Sequence, residues 1–287
     1  MDAARRNKRA YYLHRIINNK SAVTGMLILF FLIFIAVFAS WLAPYSPNEQ
    51  ILTNRLLPMS WEHLLGTDEL GRDILSRIIY GSRAAVYVVS LVSIIAGPFG
   101  LVLGVISGYF EGIVDATLMR LTDICLAFPK LILALALVSV LGPGINNAII
   151  AIAITSWAPY TRLARAHTLT IKNSEYIDAI RVQGATHKRI IFKHITPMCV
   201  SALLIQVSLD MSGYILSVAG LGFLGLGAQP PMSEWGAMIA TGREYILEHW
   251  WLITFPGIAI AIVSIGFNLL GDGLRDVFDP KHTEQGI

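Results

Sequence analysis

Long uncharged apolar runs constrain this chain more than any other feature. The longest extends from Ala84 to Phe110 without a charged side chain, and about 20 mostly apolar residues are enough for a helix to cross a bilayer. Backbone polar groups in lipid must be satisfied internally, so only helices and closed barrels can span it. The alternating ten-residue segments of a membrane barrel are absent. We therefore predict an all-α integral membrane protein.

Composition and charge exclude several other classes. The 287 residues are 55% hydrophobic and 14% charged, with a mean hydropathy of +0.61, whereas soluble domains carry about 25% charged residues. A net charge of +3 without a basic face predicts no nucleic-acid partner.

We interpret the two cysteines, Cys125 and Cys199, as small buried side chains. Neither they nor the seven histidines show metal-site spacing, so we predict no metal site and no catalytic residue.

The apolar runs predict six transmembrane helices. The first run, Ser21 to Tyr45, is longer than the apolar region of a signal peptide and lacks a cleavage site, so we interpret it as a retained span. The turn-forming segment Leu141 to Asn147 divides a longer apolar stretch into two spans. The predicted spans are Ala22 to Ala43, Ala84 to Phe110, two within Leu118 to Ala166, Met198 to Leu221 and Trp250 to Leu270.

The distribution of Lys and Arg predicts the orientation, because cytoplasmic loops are enriched in these residues. Basic residues collect before the first span, after the fourth and near the C-terminus, and fewer lie in the opposite loops. We predict that both termini are cytoplasmic. The predicted segments are a cytoplasmic segment 1–21, a transmembrane domain 22–272 and a cytoplasmic tail 273–287, with a cytoplasmic loop at about 167–197 and periplasmic loops at about 46–83 and 222–249.

A polar island, Glu175 to Pro197, lies between two apolar spans. Asn173 or Ser174 can cap a first short helix, Gly184 permits a turn, and Thr186 can cap a second helix that we expect Pro197 to interrupt. The result is a compact helical projection with an exposed apolar patch, and such a patch indicates a partner. A basic loop bound to lipid headgroups is the alternative. The apolar face of the first helix comprises Tyr176, Ile177 and Ile180.

Asp210 lies in the middle of the predicted fifth span. A carboxylate inside the membrane is costly and usually faces a bundle interior or a cavity. Asp210 is therefore a candidate for the translocation path, where it could contact a cationic part of a cargo. A structural carboxylate satisfied by a neighbouring helix is the alternative. No role is assigned to Lys130.

The island resembles the EAA loop of bacterial ABC-importer permeases. Asp178, Ala179 and Ile180 stand at the Glu-Ala-Ala positions, Gly184 follows three residues later, and His194 to Pro197 stand at the closing Ile-x-Leu-Pro. The departures are Asp for Glu, Ile for Ala and Thr for Leu. Segments 64–83, 219–243 and 255–280 resemble the signatures of the C-type, or second, permease of dipeptide, oligopeptide and nickel importers.

The resemblance implies a complete importer around this chain. Its partners would be a second permease, two ATP-binding subunits and a solute-binding protein outside the bacterial inner membrane. ATP and Mg would be bound by the ATPases and no cofactor by this chain, which contains no P-loop pattern. The cargo would be di- or oligopeptides, with nickel or another small solute as the alternative. The coupling residues would be Glu175, Tyr176, Asp178, Ala179, Ile180, Gly184 and Ala185.

A stand-alone membrane protein, either an intramembrane enzyme or a channel, is the alternative of a different class. Such a protein would not need an ATPase partner, so partner dependence separates the two hypotheses.

Overall fold

The computed structural model describes residues 14–278, and within that range every regular element is helical. The predicted cytoplasmic segment 1–21 and tail 273–287 lie mostly outside the described residues. One isolated bridge joins Thr67 and Asp73. The helices are α1 Lys20–Val37, α2 Ala39–Leu42, α3 Ile74–Phe110, α4 Gly112–Leu126, α5 Lys130–Leu141, α6 Ile145–Lys172, α7 Glu175–Val182, α8 His187–Ile190, α9 Thr196–Phe223, α10 Trp235–Gly242 and α11 Trp251–Phe278.

The number of spans is not confirmed as six. Within the described residues four helical stretches are long and apolar enough to cross a membrane: α1, α3, residues 187–223 and α11. Helices α4 and α5, bent by 91° at the break between them, would make a fifth if they form one broken span. The long helix α6 does not qualify, because Asn, Thr, Ser, Pro and Arg residues interrupt its apolar run.

Helix α3 begins ten residues before the predicted second span, at Ile74 instead of Ala84. The carboxylate of Asp73 accepts hydrogen bonds from the backbone N–H of Ser76 (2.8 Å) and from its hydroxyl (2.7 Å). This is the contact by which an N-cap residue starts a helix. The last ten residues of the predicted 46–83 loop are therefore helical.

The described chain divides into two compact units. Unit 1 comprises residues up to 89, residues 143–145 and residues from 208, and unit 2 comprises 90–142 and 146–207. In unit 1, α1 packs along α11 at glycines that allow close backbone approach. A Cβ on Gly25 would overlap the backbone of Leu270, and one on Gly273 would lie 2.5 Å from Cα of Ala22.

A buried charge cluster organises the 43–73 loop of unit 1. Asp68 pairs with Nε of Arg72 at 2.7 Å and with Nε of Arg77 at 3.5 Å, and Arg72 also pairs with Glu69 at 2.8 Å. The backbone N–H groups of Leu70 and Arg72 also donate to Asp68. Asp68 and both arginines are only 5% exposed. Arg77 therefore depends on the Asp68 carboxylate for compensation, whereas Arg72 shares Asp68 and Glu69.

We expect Asp68→Asn to destabilise unit 1 by about 3 kcal/mol, since breaking a buried ion pair from one side leaves an uncompensated charge. The thermal midpoint of the purified protein in detergent measures this loss. Asp123→Asn is the matched control, because Asp123 pairs with Arg162 at an exposed position and exposed pairs contribute little. Equal midpoints for the two variants would contradict the expectation.

The 224–250 loop of unit 1 is held by Glu234, which is 5% exposed. Its carboxylate accepts hydrogen bonds from the N–H groups of Gly236 and Ala237, both at 2.8 Å, and so caps α10. Burial raises the pKa of Glu234 above its usual range, and these two hydrogen bonds act in the opposite direction. Trp235 then donates its indole N–H to the carbonyl of Ile78 at 3.1 Å, which ties the loop to α3.

Unit 2 contains a second close helix crossing, between α3 and α6. Gly100, Gly104 and Gly108 recur every four residues and form one face of α3. A Cβ at each position would lie within 3 Å of α6 atoms. The hydroxyl of Thr161 also donates to the carbonyl of Gly100 at 3.2 Å. The two backbones can therefore approach each other only because these positions carry no side chain.

Candidate functional site

The first helix of the predicted polar island, α7, forms in unit 2 as expected. Ile177 is completely buried, whereas Tyr176 is 53% exposed and Ile180 is half-buried, so the predicted apolar face is only partly covered. Ser174 occupies the N-cap position, but its hydroxyl makes no capping bond and instead donates to the carbonyl of Ile171 at 2.7 Å. The predicted side-chain cap at Ser174 is therefore wrong, although the helix begins where the sequence predicted.

Gly184 ends α7 in a left-handed conformation, with φ +79°. Its N–H donates to the carbonyl of Arg181 at 2.9 Å, and the N–H of Ala185 donates to the carbonyl of Ile180 at 3.3 Å. These two bonds define a Schellman motif, which favours glycine because a Cβ resists this conformation. Nothing lies within 4 Å of the position that a Cβ on Gly184 would occupy, so the turn faces open space.

The second helix begins as predicted but does not end at Pro197. The hydroxyl of Thr186 accepts a hydrogen bond from the N–H of Arg189 at 3.4 Å, and α8 continues through a π-helical segment, Ile191–Ile195, directly into α9. Pro197 has no N–H to give to the carbonyl of Lys193. The wider π turn just before it takes up one extra residue, so the helix continues. The predicted interruption at Pro197 is wrong.

Three contacts that the sequence did not predict anchor the loop within unit 2. The hydroxyl of Tyr109 lies 2.7 Å from Nδ1 of His187. Lys172 pairs with Glu111 at 2.9 Å and lies 5.7 Å from the centre of the Tyr109 ring. The hydroxyl of Tyr176 lies 2.8 Å from Nδ1 of His194. The end of α3 therefore holds α8, Glu111 at the start of α4 holds the residue that ends α6, and the Tyr176–His194 contact joins α7 to the π-helical segment. Sequence periodicity gives no signal for contacts over such separations.

The outer surface of the loop is polar with apolar side chains interspersed. Asp178 pairs with Arg181 at 2.9 Å, and both side chains are substantially exposed. Val182 is 89% exposed at the end of α7, and Phe192 is 71% exposed. Exposed large apolar side chains on a rigid, well-anchored projection are typical of an interaction surface. Of the predicted coupling residues, Glu175, Tyr176, Asp178, Ala179 and Gly184 are exposed and Ile180 and Ala185 are half-buried.

Asp210 lies in α9 and belongs to unit 1. Its side chain is half-buried. In the same part of α9, the hydroxyl of Ser212 donates to the Asn268 side chain at 2.7 Å, and Gly271 approaches Leu209 closely. This stretch of α9 is therefore packed against α11. A contact of Asp210 with cargo stays a prediction.

Comparison with known proteins identifies the family. Residues 100–284 match the family described as binding-protein-dependent transport system inner membrane component, and residues 6–58 match the N-terminal transmembrane domain of oligopeptide transport permease C. The chain is 45% identical to the di/tripeptide transport system permease protein DppC of Pseudomonas aeruginosa (strain UCBPP-PA14), over 92% of this chain and 89% of the relative. It is 46% identical to the dipeptide transport system permease protein DppC of Escherichia coli (strain K12), over 94% and 92%.

A solved structure shows the same fold. A chain of the MetNI methionine ABC transporter, in an inward-facing conformation, superimposes with a TM-score of 0.52 and 19% identity, over 69% of this chain and 96% of that one. At this identity the likeness supports the fold alone. The two family matches and the relatives above 40% identity show that this chain belongs to the inner-membrane permeases of binding-protein-dependent ABC transport, and to their C-type peptide branch.

Proposed function

We propose that this chain imports di- or oligopeptides as one of two transmembrane subunits that together form the translocation path. The similarity to dipeptide permeases over more than nine-tenths of the chain carries this proposal. It favours peptides over nickel or another small solute, because the relatives named above are di- and tripeptide permeases. It also disfavours a stand-alone enzyme or channel.

The proposed partners are a second permease, two ATP-binding subunits and a solute-binding protein. The coupling loop, residues 173–197, is the proposed contact with an ATPase. Its support is physical: α7 and α8 are short and present exposed polar and apolar side chains. Tyr109 holds α8, and Tyr176 joins α7 to His194. A stiff projection can transmit a push to the helix that follows it, and here α8 runs into α9 without a break.

The proposed orientation places the coupling loop and both termini in the cytoplasm of a bacterial inner-membrane protein. The density of Lys and Arg in 172–193 and at the N-terminus supports this arrangement. The 43–73 and 224–250 loops would then face the periplasm, where they are available to a solute-binding protein. Translocation would be powered by ATP and Mg held on the separate ATPases.

Co-purification and uptake test the function together. The tagged chain is extracted in mild detergent from its native host, and the co-purifying proteins are identified by mass spectrometry. Deletion of the gene is then tested for uptake of a radiolabelled dipeptide and of ⁶³Ni²⁺. We expect recovery of a second permease and at least one ATPase, together with loss of dipeptide uptake and unchanged nickel uptake.

Two results would contradict the proposal. Recovery of the chain alone, from a preparation that preserves other membrane complexes of the host, would favour a stand-alone protein. Loss of nickel uptake with normal dipeptide uptake would assign the other cargo.

A further inference from the structure

Unit 1 contains a cavity of about 650 Å³ beside the 224–250 loop. This volume falls within the range of about 300–1,000 Å³ that is usual for small-molecule sites. Its lining includes Tyr80, Arg83 and Tyr87 of α3, and Gln229, Met232 and Ser233 of the loop. The lining is mostly apolar and aromatic, with a few polar groups.

Ser233 supplies a polar group whose hydrogen-bonding capacity is unused. Its residue is 6% exposed, and its hydroxyl has no hydrogen-bond partner among the described residues. Leaving a buried hydroxyl unsatisfied is energetically costly. A bound ligand that accepts or donates a hydrogen bond at this position would recover that cost.

Arg83 supplies a cation that is fixed in place. Its Nε donates to the carbonyl of Ala36 at 2.7 Å, one terminal nitrogen donates to the hydroxyl of Ser40 at 2.9 Å, and the guanidinium lies 4.9 Å from the centre of the Tyr80 ring. Among the described residues no carboxylate pairs with it. Arg83 is exposed, so its charge remains available to a ligand anion.

Gln229 supplies an acceptor. Its amide nitrogen is used within the loop, where it donates to the carbonyls of Gly225 and Gly227, both at 3.1 Å. These bonds orient the side chain so that its oxygen, which accepts no described hydrogen bond, is left for another group. A cation, a hydroxyl and an amide oxygen on apolar walls fit a small molecule that has a carboxylate, an N–H donor and an apolar body.

We propose that this cavity is a subsite for the C-terminal end of a short peptide, with the carboxylate at Arg83 and Ser233 and a peptide N–H at Gln229. The proposal rests on the proposed peptide import and specifies a place on this chain where cargo is held. A side chain of the peptide would lie against Tyr80, Tyr87 and Met232. Peptides that lack a free carboxylate would bind poorly.

Binding to the assembled transporter tests the subsite. The complex is purified without its solute-binding protein, and the affinity for Ala-Phe is compared with that for Ala-Phe amide by isothermal titration calorimetry. We expect the free acid to bind about ten-fold more tightly than the amide, since a hydrogen-bonded charge is lost. Ser233→Ala should weaken binding of the free acid several-fold and leave the amide unchanged. Equal affinities for acid and amide would overturn the proposal.

A second measurement covers the case in which a substitution disturbs the loop. Met232→Cys and Leu247→Cys are labelled with a neutral maleimide, with and without excess Ala-Phe. Both parent side chains are exposed, at 44% and 96%, but only Met232 lines the cavity. We expect the peptide to slow labelling at position 232 at least several-fold and not at 247. Equal labelling rates at 232 with and without peptide would overturn the proposal.

Two further outcomes distinguish failure of the proposed subsite from failure of the proposed peptide import. Normal dipeptide uptake by Ser233→Ala cells, with unchanged peptide affinity of the variant complex, would disprove the subsite without contradicting peptide import. Slow labelling at position 232 in nanodiscs of anionic lipid without peptide, with no further slowing by Ala-Phe in either anionic or neutral lipid, would assign the cavity to a phosphate headgroup and overturn the peptide assignment. Failure of peptide import itself would appear in the deletion strain.

Discussion

Gly184→Leu is expected to abolish peptide uptake while the protein remains assembled in the membrane. A left-handed conformation costs a residue with a Cβ about 1–2 kcal/mol, and Gly184 has φ +79° at the C-terminal end of α7. Since no atom lies within 4 Å of its Cβ position, leucine would not clash within the chain. The strain would instead displace the end of α7, and the new side chain would occupy the proposed ATPase contact.

Uptake of a radiolabelled dipeptide and stimulation of ATPase activity by cargo are measured at equal expression. We expect uptake to fall at least about ten-fold, because ~1.4 kcal/mol of strain shifts the equilibrium between the native turn and its alternatives ten-fold and the leucine side chain would also occupy the proposed contact. Basal ATP hydrolysis should persist without cargo stimulation. Gly184→Asn should retain more uptake than Gly184→Leu, since Asn tolerates the left-handed region.

Gly225 provides a matched control in the other unit. It has φ +77°, an empty Cβ environment and the same pair of backbone bonds at the end of α9, from its own N–H to Gly222 and from Leu226 to Leu221. Gly225→Leu therefore introduces the same backbone strain outside the coupling loop. Normal uptake by Gly184→Leu would disprove the coupling role. The two variants are compared by the amount of assembled complex, because the Gly225 carbonyl also orients Gln229 in the proposed subsite. An equal loss of assembled complex in both would attribute the effect to strain alone.

Gly104→Ala is expected to destabilise the protein through the α3–α6 crossing. The added Cβ would overlap the carbonyl of Thr161 and lie 2.6 Å from Cβ of Ala164. Backbone atoms cannot rotate away, so the helices must separate. Overpacking of this kind typically costs about 1–3 kcal/mol, which exceeds the ~1 kcal/mol gained from the better helix propensity of alanine.

Thermal challenge in detergent followed by size-exclusion chromatography measures the effect. We expect the midpoint of aggregation to fall by about 2–4 °C for each kcal/mol of net destabilisation and the amount of protein in the membrane to decrease. Gly213→Ala is the control, because Gly213 also lies inside a long helix and has nothing within 4 Å of its Cβ position. An unchanged midpoint for Gly104→Ala would contradict the close approach of the α3 and α6 backbones at this position.

Local chemistry made much of the fold predictable. The apolar runs identified α1, α3, α9 and α11 as membrane-crossing helices, with boundaries shifted by turn and cap chemistry at positions such as Asp73. The two short helices of the polar island could be predicted because Gly184 ends α7 through its own backbone conformation and Thr186 caps α8 through a residue three positions away. Effects that depend on a few adjacent residues can be worked out from sequence.

Other features depended on partners distant in sequence. Six spans were predicted from hydropathy, but α6 is too polar to qualify alone, and α4 and α5 meet at a sharp bend. Pro197 was expected to end a helix, yet a π turn carries the chain past it. Whether a helix continues past a proline depends on how the surrounding helices pack against that segment. The proline residue alone does not determine the outcome.

The sequence by itself determined that this is a helical membrane protein, where its long spans lie, and that a polar two-helix loop separates two of them. Only the tertiary structure decided which glycines meet another helix, and that Tyr109 and Lys172 anchor the segments around the loop. The physical reason is the sequence separation of the contacts. Hydropathy and capping act over one or two helical turns, whereas close helix packing and these anchoring contacts join residues that are tens of positions apart.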